Sequence, residues 1–381
     1  MASRRQWHLS VLSAIVGAAL LAACGGGDSG PSTTRVVSFG DSLSDLGTYA
    51  PATSLGAPGT SPFFGGRFTT NTHTGYTAAS NSNTATIWVE WVATRLGVAI
   101  TQAAIGFGTT NIACPVAATS PALAGSCTGY GQGGSRVTDA NGIGKSSGAL
   151  TVPMTTQMDN FLTRFSGYND KDIVFVYGGN NDIFILFGAV GARQLTPAAA
   201  VAASQAVAGQ LASLVKDKIL AKGATRVAVM NLPDSSATPF GSTLDAAGKG
   251  LLSQLSDEFN KALLTALAGA NVQIIDARAL SADAVANPAK YGITNVTTPA
   301  CDPTKIAVVT GGRVTDGSSL FCNAAAGQPF NGIRTVAPGV LASTSTWLFA
   351  DGVHPTTGGH KLFADQVIAK LKEFGWMPTN Q

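Results

Sequence analysis

A serine hydroxyl becomes a nucleophile when a base takes its proton and nearby donors hold the charge that develops on the attacked oxygen. Four short stretches of this chain carry residue types suited to those roles. Ser42 lies in Phe39-Gly40-Asp41-Ser42-Leu43, directly after a short apolar run. Asp351-Gly352-Val353-His354 puts a base beside a carboxylate three residues earlier, close enough to orient the imidazole and stabilise its cation. Asn181, in Gly178-Gly179-Asn180-Asn181-Asp182, brings a side-chain amide that donates without carrying charge. Gly133-Gly134 offers backbone N–H groups with no side chain in the way. Taken singly each has a plain structural reading: a turn for Gly-Asp-Ser, a loop histidine for His354, a helix-start carboxylate for Asp351, a turn former for Asn181 and a bend for the glycine pair.

The elements around these residues alternate between strand and helix. Arg35–Phe39 is a β-prone run, and 172–177 is apolar after its first residue, as a strand buried on both faces should be. Further strands are expected over 226–232 and 272–276. Helices are expected over 86–96, over 197–222 with Thr196 as cap and Pro197 in the first turn, over 244–267 and over 357–374. In the last of these, Phe363, Val367, Leu371 and Phe374 form one apolar stripe. Repeated βα units imply a parallel sheet with helices on both faces, and ligands in such sheets sit beyond the carboxyl ends of the strands. The stretches 48–85, 101–150 and 293–346 are too long for simple connections and are read as ordered loops on the ligand side, the last holding one cysteine pair.

The chain has 381 residues, 45% of them hydrophobic and 12% charged, enough for a sizeable core and incompatible with a disordered protein. Arg4 and Arg5 followed by the apolar run Val11–Leu20 read as an export leader, too short to span a bilayer as a stable helix. No other apolar run approaches spanning length. The formal net charge of +3 falls to +1 without those two arginines, which leaves no electrostatic footprint for nucleic acid. Leu21-Ala22-Ala23-Cys24 resembles the bacterial lipobox, implying cleavage before Cys24 and lipidation of its thiol; the alternative is an ordinary leader with a chance cysteine. The expected organisation is a leader over 1–23, a Gly-rich tether over 24–33 and one domain over 34–381. The other four cysteines allow two disulfides in three connectivities. The local one, Cys114 with Cys127 and Cys301 with Cys322, closes the shortest loops and is the expected pairing. No cysteine or histidine spacing calls for a metal.

In order and context the four stretches resemble the SGNH, or GDSL, family of serine hydrolases over nearly the whole chain after the leader. Gly40-Asp41-Ser42-Leu43 matches the nucleophile block, Gly179-Asn180-Asn181-Asp182 the G-x-N-D block and Asp351-Gly352-Val353-His354 the D-x-x-H block. The glycine block departs from the pattern, because Thr128-Gly129-Tyr130 stands where members often have an Asn. The resemblance implies an α/β fold: a flavodoxin-like three-layer α/β/α sandwich around a central parallel sheet. It implies Ser42 as nucleophile, His354 as base and Asp351 as its orienter. The implied oxyanion donors are the Ser42 N–H, the Asn181 amide and a glycine N–H, with Gly134 taken over Gly133. It calls for no cofactor, and the D-x-x-H spacing lets a backbone carbonyl partly substitute in orienting His354 when Asp351 is replaced, so Asp351→Asn is expected to cost less than loss of Ser42. Gly65-Gly66-Arg67-Phe68-Thr69 and Trp88 also look like secreted bacterial members. Some of those carry a membrane β-barrel behind the hydrolase domain, and none is expected here. The resemblance therefore implies a monomeric carboxylic ester hydrolase, an esterase or lipase, on a small-molecule or lipid ester, exported and held at the outer membrane by its lipid or secreted. The alternatives are an O-acetyl-polysaccharide esterase or lysophospholipase with the same triad, and a lipid-anchored binding protein with a dead one.

Overall fold

Six strands, all parallel, form the central sheet, and their alternating side chains build a core on each face. The computed structural model describes residues 31–53, 66–72, 76–77, 80–81, 83–325, 327 and 330–378. The leader, Cys24, most of the tether, Gly65 and the histidines His8 and His73 lie outside the described residues. The sheet strands are β1 (Arg35–Gly40), β2 (Thr101–Gln102), β3 (Cys127–Gly129), β4 (Asp172–Tyr177), β5 (Val227–Met230) and β6 (Gln273–Ile275). They lie in the order β6-β5-β4-β1-β3-β2. Without the two-residue edge strand β2 this is the doubly wound flavodoxin-like order, in which the chain reverses direction across the sheet between β1 and β4.

The period of two explains why β4 is apolar almost throughout. Ile173, Phe175 and Tyr177 face one core with Val36 of β1, while Val174 and Val176 face the other with Val37 and Phe39. The first core is closed by α1 (Trp88–Arg95), α6 (Ala277–Ala286) and α7 (Thr357–Glu373). The second is closed by α2 (Met154–Phe165), α3 (Asn180–Gly191), α4 (Pro197–Leu214) and α5 (Ala246–Leu267). Helix starts follow local chemistry. Thr196, Asp245, Asp276 and Thr356 each accept a backbone N–H of the first turn, at Ala199, Gly248, Ala279 and Gly359 respectively.

Two expectations are corrected, and one plain structural reading is set aside. Residues 101–150 are not wholly loop, because β2 and β3 belong to the central sheet. A two- or three-residue strand is too short to show a period, and Gly129 is placed by pairing with Ser38 of β1. Asn181 is not in a turn but in the first turn of α3. The segment Pro197–Lys222 is long and apolar enough to cross a membrane by length and composition. In the fold its Ala200, Ala208, Leu211, Val215 and Ile219 are fully buried against the sheet, which identifies it as a core helix.

Both disulfides form with the expected local pairing, Cys114–Cys127 and Cys301–Cys322. The second lies in a small core of its own with Ile306, Ile333 and Ala350, inside the 293–346 insertion. It closes a 21-residue separation, and restricting the unfolded chain over such a loop contributes about 3 kcal/mol. Replacing Cys301 and Cys322 by Ser should lower the thermal midpoint by several degrees, measured by calorimetry, with the far-ultraviolet circular dichroism of the central layers retained.

Candidate active site

Ser42, Asn181 and His354 arrive at the same edge of the sheet for different reasons. β1 ends at Gly40, where a Cβ would lie 2.2 Å from the Tyr177 carbonyl, so only glycine lets the strands stay paired there. Gln157 of α2 clamps this strand end, donating to the Gly40 carbonyl at 2.8 Å and accepting its N–H at 3.0 Å. The chain then turns with the Asp41 carboxylate accepting the Leu43 N–H, which leaves Ser42 at the tip. β4 ends at the neighbouring position of the sheet, and Gly179, at φ +118°, starts α3 with Asn180 and Asn181. Asn180 donates to Asp41 at 3.2 Å and so ties the two strand ends together.

His354 enters from the loop before α7. Its Nε2 is 2.8 Å from Ser42 Oγ, and its Nδ1 is 2.9 and 2.8 Å from the two oxygens of Asp351. With Nδ1 donating to the carboxylate, Nε2 is free to accept the serine proton. Asp351 also accepts the N–H groups of Val353, His354 and Ser319, so the carboxylate organises its own loop and anchors it to the insertion. The Phe68 ring packs on the imidazole with centroids 4.9 Å apart. Phe68 stands on a segment bound to the insertion through Gly66 N–H to the Leu320 carbonyl and Asn71 N–H to the Cys322 carbonyl. Among the described residues Nδ1 has no partner other than Asp351.

The charges follow from this arrangement. Burial lowers the His354 pKa, but the Asp351 charge and hydrogen bond outweigh it and hold the imidazole above its ordinary value, with Asp41 and Asp316 adding to the effect. Burial would raise the Asp351 carboxyl; the His354 charge, the His354 hydrogen bond and the N–H groups of Ser319 and Val353 overcome this and keep it far below the carboxylate range. Asp41 is pushed up to about 6 by burial, against the Leu43 N–H, the Asn180 amide and the His354 charge.

The glycine pair is sorted by its hydrogen bonds. Gly133 N–H donates to Asp45 at 2.8 Å, whereas Gly134 N–H, like Ser42 N–H, has no acceptor among the described residues. Gly134 sits at φ +78°, and a Cβ there would fall 2.0 Å from the Ile143 carbonyl. One Asn181 amide proton goes to the Ser135 carbonyl at 2.8 Å, which orients the group and leaves its second N–H without an acceptor among the described residues. Asp182 accepts from Arg136 and from Val137 N–H, locking the glycine loop onto the start of α3. Sequence reasoning missed Asp45, which also accepts from Gly47 and Thr48, and Tyr49, whose hydroxyl donates to the Gly133 carbonyl at 2.6 Å. Both lie within seven residues of Ser42, but nothing local distinguishes a buried loop clamp from a solvated side chain. Ser42, Gly134, Asn181 and His354 line one cavity of about 310 Å³, whose walls include Tyr49, Phe68, Phe107, Ile143, Phe184 and Leu320.

A partly buried serine–imidazole–carboxylate array beside N–H groups without acceptors, at the carboxyl edge of a doubly wound sheet, can move a serine proton and hold an oxyanion. A model of the GDSL-like lipase/acylhydrolase family matches residues 36–367, and the chain belongs to that family. It is also similar to the protein named esterase EstA of Pseudomonas aeruginosa and to that of Pseudomonas putida, each 34% identical over 149 residues. That stretch is 38% of this chain and 19% of each relative, so the chain spans less than a fifth of the length of these relatives. Among solved structures it is similar to LAE5, an α/β hydrolase from the metagenome of Lake Arreo. There the identity is 12%, the coverage 91% of this chain and 97% of that one, and the TM-score 0.41.

Proposed function

We propose that this protein hydrolyses carboxylic esters through an acyl-enzyme on Ser42. The single observation that carries the reading is the 2.8 Å contact between His354 Nε2 and Ser42 Oγ, with Asp351 behind the ring. His354 takes the hydroxyl proton as Oγ attacks the ester carbonyl carbon. The negative charge on the carbonyl oxygen is held by the N–H groups of Ser42 and Gly134 and by the free Asn181 N–H. The imidazolium then protonates the departing alcohol, leaving Ser42 acylated. Water, deprotonated by the same nitrogen, attacks the acyl carbonyl, and the proton returns to Oγ as the carboxylic acid leaves. The apolar walls support an aliphatic or aryl ester over a polar O-acetylated sugar, because Phe68, Phe107, Ile143, Phe184 and Leu320 offer a polysaccharide no hydrogen bonds. We infer a single hydrolase domain over 34–381 behind a leader and tether, acting as a monomer. Export with lipidation at Cys24 is supported by the motif there and by two disulfides, which persist in oxidising compartments.

Hydrolysis of p-nitrophenyl esters from acetate to palmitate tests the reading. Turnover with an optimum beyond acetate is expected; turnover confined to acetyl groups would favour the polysaccharide esterase, and none with any ester would overturn the assignment. The pH profile gives a separate check. Only neutral His354 accepts a proton, and its pKa is raised, so kcat/KM should fall as pH drops through a value above 6.5. Asp351→Asn removes the charge that raises it. The acid limb should then move to lower pH while kcat falls about 10⁴-fold, the size seen when an orienting carboxylate is lost.

A further inference from the structure

The Ser42–His354 pair is flanked by two cavities. Besides the catalytic one, a second of about 330 Å³ lies between α6, α7 and the loops 233–238 and 348–355. Leu43, Pro233, Thr238 and Val353 line both, so the neighbours of the nucleophile and of the base form the partition between them. The second cavity takes no part in the reaction derived above. Its walls are apolar, with Trp88, Val285, Leu348, Phe349, Leu362 and Phe363 prominent.

Two donors of these lining residues have no acceptor among the described residues, and both atoms are themselves closed off from the cavity. The indole Nε1–H of Trp88, a fully buried side chain, is unpaired, and so is the buried Nη1 of Arg278. The other end of the Arg278 guanidinium is committed, with Nη2 donating to Asp234 at 3.1 Å and to Ser253 Oγ at 3.2 Å. Asp234 also accepts from the Ser253 hydroxyl and the Ser236 N–H. Because Asp234 already cancels the Arg278 charge, a polar group bound beside the pair is best uncharged: a carboxylate would meet no net positive charge and would face Asp234.

We propose that this cavity binds a long aliphatic chain ending in an uncharged oxygen group, as in a fatty alcohol, a monoacylglycerol or a fatty ester. The chain fills the apolar volume and the oxygen lies at the charge-cancelled Arg278–Asp234 pair on its wall. Two sources share this chemistry: one half of the ester held at Ser42, reaching past Leu43 and Val353, or a second amphiphile molecule. The first rests on the proposed function; the binding itself does not.

Calorimetric titration of the Ser42→Ala protein with 1-decanol and with decanoate tests it without any turnover. The expected result is saturable binding of one decanol per chain, at least about tenfold tighter than decanoate. Filling the cavity should weaken decanol binding about tenfold or more, through Ala284→Phe at the buried wall or Ser281→Phe at the half-buried rim. Ser281→Phe tolerates folding best, and in the Ser42 background it should leave hydrolysis of p-nitrophenyl acetate within about twofold of the parent. No saturable decanol binding, equal or tighter binding of decanoate, or binding unaffected by the folded filling variants overturns the proposal. Decanol titration of the Ser42 protein labelled with a decyl or an ethyl fluorophosphonate then identifies the source. Loss of decanol binding only with the decyl label assigns the cavity to the ester's own chain, and unchanged binding with both assigns it to a second molecule. Failure of Ser42 to label would count against the proposed function and leaves the Ser42→Ala titration intact.

Discussion

Ser42→Ala should lower kcat for p-nitrophenyl butyrate by about 10⁴- to 10⁶-fold, leaving the residual rate that binding and oxyanion donors provide by themselves. The hydroxyl is the atom that becomes covalently attached, and nothing beside it replaces it: the neighbouring Ser44 side chain is fully buried beneath the turn. The folded state has little reason to change. Among the described residues Ser42 Oγ makes its hydrogen bond to His354 alone, and its alanine variant puts no unpaired polar atom into either core, so the thermal midpoint should stay within about 2 °C of the parent. Kinetics and calorimetry on the same preparation therefore separate loss of chemistry from loss of fold. A variant that keeps even a tenth of parental kcat would sink the acyl-enzyme assignment.

Asn181→Ala should cost about 100- to 1,000-fold in kcat with a small change in KM, the signature of a donor whose bond strengthens as charge develops on the oxygen. The geometry sets this expectation. One amide proton is tied to the Ser135 carbonyl at 2.8 Å, so the other is held in a fixed direction and needs little reorganisation when the oxyanion forms. Asn181→Asp keeps the shape, removes both donors and sets an anion against Ser135, so its loss should be at least as large. Gly134→Ala tests the neighbouring donor, with a larger structural penalty from its φ of +78° and the Ile143 carbonyl 2.0 Å from a new Cβ. If Asn181→Ala stayed within tenfold of the parent while Gly134→Ala lost activity, the hole would consist of backbone donors alone.

The amino-acid sequence alone determined the parts of this protein that local chemistry controls. β1, β4, β5 and β6 were legible from short apolar runs ending in glycine or polar residues, α1, α4, α5 and α7 from apolar spacing or helix-start residues. Candidate site residues could be placed because Ser42 and Asn181 each follow such a strand, while Asp351 and His354 precede α7. The local disulfide pairing was legible for the same reason: short loops close at the least entropic cost. Tertiary structure decided what depends on residues far apart in the chain. β3 exists because the edge of β1 pairs it, and β2 because β3 pairs it in turn, not because two or three residues show a period. The choice of Gly134 over Gly133 rests on Asp45, 88 residues away, accepting the Gly133 N–H. The orientation of His354 rests on Asp351 with Ser319, 32 residues from it, and the second cavity is a gap between elements spread from Leu43 to Gln366. Hydrogen bonds and voids of that kind are set by packing, which no local pattern encodes.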